Sequence, residues 1–229
     1  MLARKIALNT IISAAARVAG TALALVTVAL ITRYLSKDQW GEYSIVLTFG
    51  GIFAVLAEWG LYQLMVREIS KEGADQEKIV SNLFTLRLLI SLFIFALAPA
   101  ISLAFPYSQE ARLAIVIGMV GYWFISGSQV LVGVFQKNLR TDRVALAELA
   151  GRAVQLALVF LFTRLNYGFL WIVSTIAFGG LANLFLIWRY SQRYVRTRLS
   201  FDRSFWRKSL AQSFPLAIAN ILTMIYFST

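Results

Sequence analysis

The chain of 229 residues contains no cysteine and no histidine, and only 14% of it is charged. Without thiols there are no disulfides or thiolate metal sites, and without imidazole there are no histidine ligands or histidine proton relays. No Gly-rich phosphate loop, no metal-ligand constellation and no nucleophile beside a histidine can be found in it. Apolar–polar alternation over about ten residues, the mark of a membrane β-barrel, is also missing. The reading is therefore of a non-enzyme that needs no cofactor and no metal.

What the chain has instead is apolar length. Hydrophobic residues make up 59% of it, against about 45–50% in ordinary soluble domains. About 20 mostly apolar residues cross the hydrocarbon of a bilayer as a helix, and helices satisfy their own backbone amides there. Six such runs stand at Ile11–Tyr34, Tyr43–Val66, Leu83–Ala104, Leu113–Phe135, Val144–Phe162 and Gly168–Trp188. A seventh opens at Ser209 and is cut off at Thr229. The expected fold is an all-α integral membrane protein: a six-helix transmembrane bundle over residues 1–190, a basic linker over 191–208, and the truncated start of a further span over 209–229. The first run continues too far for a cleaved signal peptide and reads as a retained span.

The formal net charge of +11 does not point to nucleic acid, because the basic residues sit in short segments between apolar runs. Fifteen of them fall at the N-terminus and in the loops after spans 2, 4 and 6, whereas the alternate loops carry only Arg33, Lys37 and Arg164. Positive residues stay on the cytoplasmic side, so the N-terminus and the linker are expected there. Tyr190–Lys208 reads either as a solvated basic loop near anionic headgroups or as a hinge between two lobes. Glu68, Glu72, Asp75 and Glu77 interleave with Arg67, Lys71 and Lys78, which suggests a solvated amphipathic linker helix.

Ionisable residues inside spans are costly and face a bundle interior or a watery cavity. Arg17, Arg87, Arg112 and Arg152 lie within spans or at their ends, with Glu58 and Glu148. Arg112, beside Glu110, is placed to snorkel to the interface. Polar and small residues recur at helical spacing: Asn9, Ser13, Arg17 and Thr21; Ser44, Thr48, Gly51, Glu58 and Tyr62; Tyr122, Ser126, Gln129, Gly133 and Gln136; Glu148, Arg152 and Gln155; Ser213, Ala217 and Asn220. Such stripes either bond helix to helix or surround a hydrated cavity. Glu148 and Arg152 are four apart and can pair. Arg17 and Arg87 have no acidic residue one turn away, so each needs a partner on another helix or an anionic ligand. Glu58 is either that partner or a proton-coupling carboxylate.

Three segments carry a family resemblance. Arg33-Tyr34-Leu35-Ser36-Lys37-Asp38-Gln39-Trp40-Gly41-Glu42-Tyr43 resembles the stretch after the first span of polysaccharide flippases, with Ser36 for the common glycine and Trp40 for the common tyrosine. Glu58-Trp59-Gly60-Leu61, with Arg67 following, is similar to that family's end of span 2. Ser213-Phe214-Pro215-Leu216-Ala217 with Asn220 resembles the start of its second lobe. The family is the lipid-linked oligosaccharide flippases of the multidrug/oligosaccharidyl-lipid/polysaccharide exporter superfamily. The resemblance implies two six-helix lobes around a central cavity, of which this chain matches the N-terminal lobe. It also implies alternating access, with a polyprenyl-diphosphate-linked sugar as substrate and membrane lipids around it. Polysaccharide polymerase and chain-length proteins are implied partners, and the prokaryotic inner membrane the implied location. On that view Arg17, Arg87 and Arg152, with Gln129 and Asn220, line a substrate cavity, while Glu58 and Glu148 serve coupling or ion pairing. A drug or metabolite antiporter of the same superfamily is the competing reading, although four arginines against two glutamates favour an anionic cargo. A membrane-embedded polysaccharide-synthesis enzyme and an inert membrane scaffold are further alternatives.

Overall fold

The computed structural model describes the backbone of residues 2–227, and side chains for residues 9–215 and Ala217. The described residues form eight helices and no strand: α1 (Leu2–Tyr34), α2 (Lys37–Leu56), α3 (Leu61–Ile69), α4 (Gln76–Ser102), α5 (Gln109–Lys137), α6 (Thr141–Arg164), α7 (Phe169–Ser191) and α8 (Arg203–Phe227). Five stretches are long and apolar enough to cross a membrane, namely Asn9–Tyr34 of α1 and the whole of α4, α5, α6 and α7.

The second expected span is not one helix. Tyr43–Val66 is divided between α2 and α3, which meet at a bend of 43°. Residues 57–60 make the break, and Gly60 sits there in the left-handed region at φ 65°. An L side chain pays about 1–2 kcal/mol for that conformation, which is why glycine holds the corner. The Ala57 carbonyl, freed by the break, accepts a bond from Arg87 on α4. A second expectation fails nearby. The segment read as a linker helix is instead the end of α3, a turn containing Gly73 at φ 72°, and the first turn of α4 capped by Asp75.

Ser36 closes the α1–α2 turn. Its hydroxyl accepts from the Gln39 N–H, and the Gln39 side chain accepts from the Ser36 N–H, a reciprocal cap that satisfies two orphan donors. The residue that departs from the family's glycine thus has its own helix-starting chemistry.

Helix α5 lies at the centre, packed by α2, α3, α4 and α7, while α1 packs on α6 and α6 on α7. Two of these crossings bring backbones together. A Cβ on Gly180 would stand 2.7 Å from the Gly121 oxygen, and one on Gly151 would stand 2.8 Å from the Gly179 oxygen. The apolar core divides into two clusters. One gathers Ile31, Phe53, Phe95, Ile115, Val159 and Ile172. The other gathers Leu64, Leu83, Val134, Ala147 and Ile187. On alternating helices these are the two ends of the bundle, and the waist between them holds the polar residues.

The basic linker is tied to the bundle through its backbone, while Arg193, Arg196 and Arg198 stay exposed. The N–H groups of Arg198, Ser200 and Asp202 donate to Ser81 Oγ, Thr85 Oγ1 and Asn82 Oδ1 at 3.1, 2.9 and 3.0 Å. Those three side chains are buried on α4. The Asp202 carboxylate meets Lys78 Nζ at 3.1 Å. Upstream, Gln192 exchanges two bonds with the backbone of Thr197. Extended chain with every second amide bonded to α4 makes this segment a strap.

Candidate functional site: a polar waist between two apolar cores

Arg87 is 2% exposed and each nitrogen of its guanidinium makes a hydrogen bond within the protein. Nη2 meets Glu58 Oε2 at 3.0 Å, Nε donates to the Ser126 carbonyl at 3.1 Å, and Nη1 donates to the Ala57 carbonyl. The side chain therefore joins α4 to α5 and to the broken end of α2. Its partner was legible only as a possibility, since Glu58 is 29 residues away in sequence. The other carboxylate oxygen, Glu58 Oε1, is buried without a hydrogen-bond partner.

Arg17 and Arg152 are placed differently. Arg152 Nη1 donates to the Gly20 carbonyl at 2.8 Å, and its stem would lie 3.4 Å from a Cβ on Gly20. Glycine there lets α6 lay an arginine across α1. The expected Glu148–Arg152 pair is not made, because Arg152 turns to α1 and Glu148 has no ion pair among the described residues. Arg17 keeps its guanidinium open to the same region.

Three recesses meet there, and Glu148 lines them all. One of about 250 Å³ lies between Arg17, Gly20, Thr21, Glu148 and Arg152. A second, of about 280 Å³, is bounded by Arg17, Glu58, Tyr62, Gln63, Gln129 and Glu148. The third, of about 290 Å³, takes in Gln129, Glu148, Gly151, Arg152, Gln155, Gly179 and Asn183. The structure thus brings together Arg17, Arg152, Gln129, Glu58 and Glu148, and sets Arg87 behind them. The Asn220 side chain lies outside the described residues.

Most hydroxyls of the polar stripes bond neither to a neighbouring helix nor into a cavity. Thr21, Ser44 and Thr48 donate to carbonyls one turn back in their own helices, at 3.0, 2.8 and 2.9 Å. Ser13 is an exception, reaching Thr141 at 3.4 Å. Sequence reasoning missed Asn183, Gly151 and Gly179. Their signal was faint: one carboxamide in a long apolar helix, a turn after two glycines.

Outside the spans, Asp202 accepts from Ser204 Oγ at 2.6 Å and from the Phe205 N–H at 3.0 Å, and it faces Lys78. These bonds hold its carboxyl well below the usual carboxylate range.

Long apolar helices around a charged waist define a multi-pass membrane protein. Solved structures bear this out at the level of the fold. One, described as a crystal structure of MATE in complex with MaD3S, aligns with a TM-score of 0.69 at 18% identity, covering 96% of this chain and 54% of that one. Another, an outward-facing multidrug resistance MATE family transporter of the MOP superfamily, aligns with a TM-score of 0.64 at 18% identity, covering 96% and 52%. The chain spans about half the length of these structures. The chain belongs to the polysaccharide biosynthesis protein family, whose model matches residues 6–229. A comparison with curated proteins finds no significant match.

Proposed function

We propose that this chain forms the N-terminal lobe of a flippase that moves polyprenyl-diphosphate-linked oligosaccharide from the cytoplasmic to the outer leaflet by alternating access. Counting the bent α2–α3 pair as one crossing gives the lobe six spans, with the N-terminus and the basic strap cytoplasmic. The observation that carries the reading is the pair Arg17 and Arg152 on one joined set of recesses. Arg87 is spent on Glu58, so the open charges are two arginines against Glu148. A net positive waist suits a diphosphate, which cannot cross hydrocarbon uncompensated, and arginine matches phosphate geometry with paired donors. Membership of a polysaccharide biosynthesis family supports the same cargo. Polymerase and chain-length proteins are the partners such a cargo would meet next.

The MATE-like fold equally accommodates the competing reading, a cation-coupled drug or metabolite antiporter. The two differ in charge preference. Arg17→Ala and Arg152→Ala in the full-length protein should each lower translocation of a fluorescent polyprenyl-diphosphate sugar in proteoliposomes by about tenfold or more, the cost of one charge-assisted contact. Lysine at either position should recover part of it. A wild type that does not flip this substrate at equal protein density, and takes up an organic cation instead, would move the assignment to the antiporter.

A further inference from the structure

The recess between α5, α6 and α7 shares Glu148 and Arg152 with the recess against α1, and differs from it in carrying three carboxamides. Gln129, Gln155 and Asn183 line it from three helices. None of the three carboxamides has a hydrogen-bond partner among the described residues, although Asn183 is only 9% exposed. Their polar atoms are not sealed off by the protein, and three carboxamides lining one cavity of about 290 Å³ offer donors and acceptors to what enters it.

The backbone is built to hold them there. Gly151 and Gly179 bring α6 and α7 into contact, and the two stems straddle the crossing. The Cβ of Asn183 lies 3.1 Å from where a Gly151 side chain would begin, and that of Gln155 lies 3.1 Å from the equivalent point on Gly179. Ile125 and Ile176 supply apolar walls. Arg152 and Glu148 form the edge shared with the arginine recesses, one charge of each sign.

The geometry points to this recess as the saccharide subsite: it receives an uncharged, hydroxyl-rich sugar ring while Arg17 and Arg152 hold the adjoining diphosphate. Carboxamides offer donor and acceptor together, the complement of a sugar hydroxyl, and the isoleucines face the ring's C–H surface. A cavity of this size sits at the small end of ligand pockets, about 300 Å³, so it takes one ring and leaves the rest of an oligosaccharide outside. The inference rests on the flippase reading and adds to it a place and a chemistry for the sugar.

The test measures binding by the full-length protein in detergent to two probes, bare polyprenyl diphosphate and the same carrier bearing one neutral hexose. The wild type should bind the hexosylated carrier about tenfold more tightly. Asn183→Leu and Gln155→Leu should each erase most of that advantage and leave the bare carrier within about twofold. Gln155 is half-buried, so its variant remains informative if Asn183→Leu folds poorly. An advantage that survives both substitutions, or losses equal for both carriers, would overturn the subsite. So would a wild type that binds the two carriers alike, with the flippase reading intact. A wild type that binds neither carrier would bring down both.

Discussion

Arg17 and Arg87 look alike as letters in a sequence, each a lone arginine in an apolar run, yet they end in opposite roles. The difference is made by residues far away in the chain, Ala57, Glu58 and Ser126, which surround Arg87 with two carbonyls and a carboxylate. Removing Arg87 leaves the two carbonyls and the partly buried Glu58 carboxylate without their partner, a loss below the ~3–5 kcal/mol of a fully buried pair because the Glu58 side chain is 30% exposed. Arg87→Leu should therefore lower the thermal unfolding midpoint in detergent sharply, and adding Glu58→Leu should restore much of it. If the single variant unfolds like the wild type, the guanidinium is not a strut. Asn183 illustrates the opposite difficulty. Nothing local marks it, because its meaning comes from two glycines that set the distance between α6 and α7.

Among the elements, the long helices were legible and the corners were not. Apolar runs give the interiors of α1, α5, α6 and α7 to within a few residues, because each run must be buried in lipid or in neighbouring helices. The α2–α3 break escaped because Glu58-Trp59-Gly60 reads equally well as the end of a span. What stabilises the break is Arg87, brought by another helix. Gly60→Ala should cost about 1–2 kcal/mol in a denaturation experiment, whereas alanine at Gly41, where nothing lies within 4 Å, should be close to neutral. The strap escaped for a different reason. Its bonds run from backbone amides to Ser81, Asn82 and Thr85, so the basic side chains that dominate its sequence say little about its path. The carboxyl of Asp202 has its folded pKa below the unfolded value, so its contribution is present above the unfolded value of about 3.9. It disappears only as pH falls through the lower, folded one. Protection of the Arg198, Ser200 and Asp202 amides from hydrogen exchange should thus hold from pH 7 to about 4. Asp202→Asn should reduce that protection at every pH in the range.

For the whole molecule, the distribution of arginine and lysine sets the expected orientation, and the absence of cysteine makes that orientation easy to test. Every thiol introduced is the only one present. Glu72→Cys in the α3–α4 turn and Leu165→Cys after α6 should label from opposite faces of sealed membranes with an impermeant maleimide, the first from the cytoplasmic side. Both labelling from one face would break the proposed topology. The charge balance at the waist belongs to this scale too, since it depends on Glu58 having found Arg87 while Glu148 pairs with no arginine among the described residues.

The strap also sets the mechanics of the helix beyond it. Its last bonded residue is Asp202 and α8 begins at Arg203, so no slack separates the two. A helix of 25 residues, about 37 Å long at about 1.5 Å per residue, starts from a point fixed to α4. With its near end pinned, α8 can tilt but cannot slide. It is a lever on a pivot, and a tilt of about 10° would carry its far end roughly 6 Å, given that length.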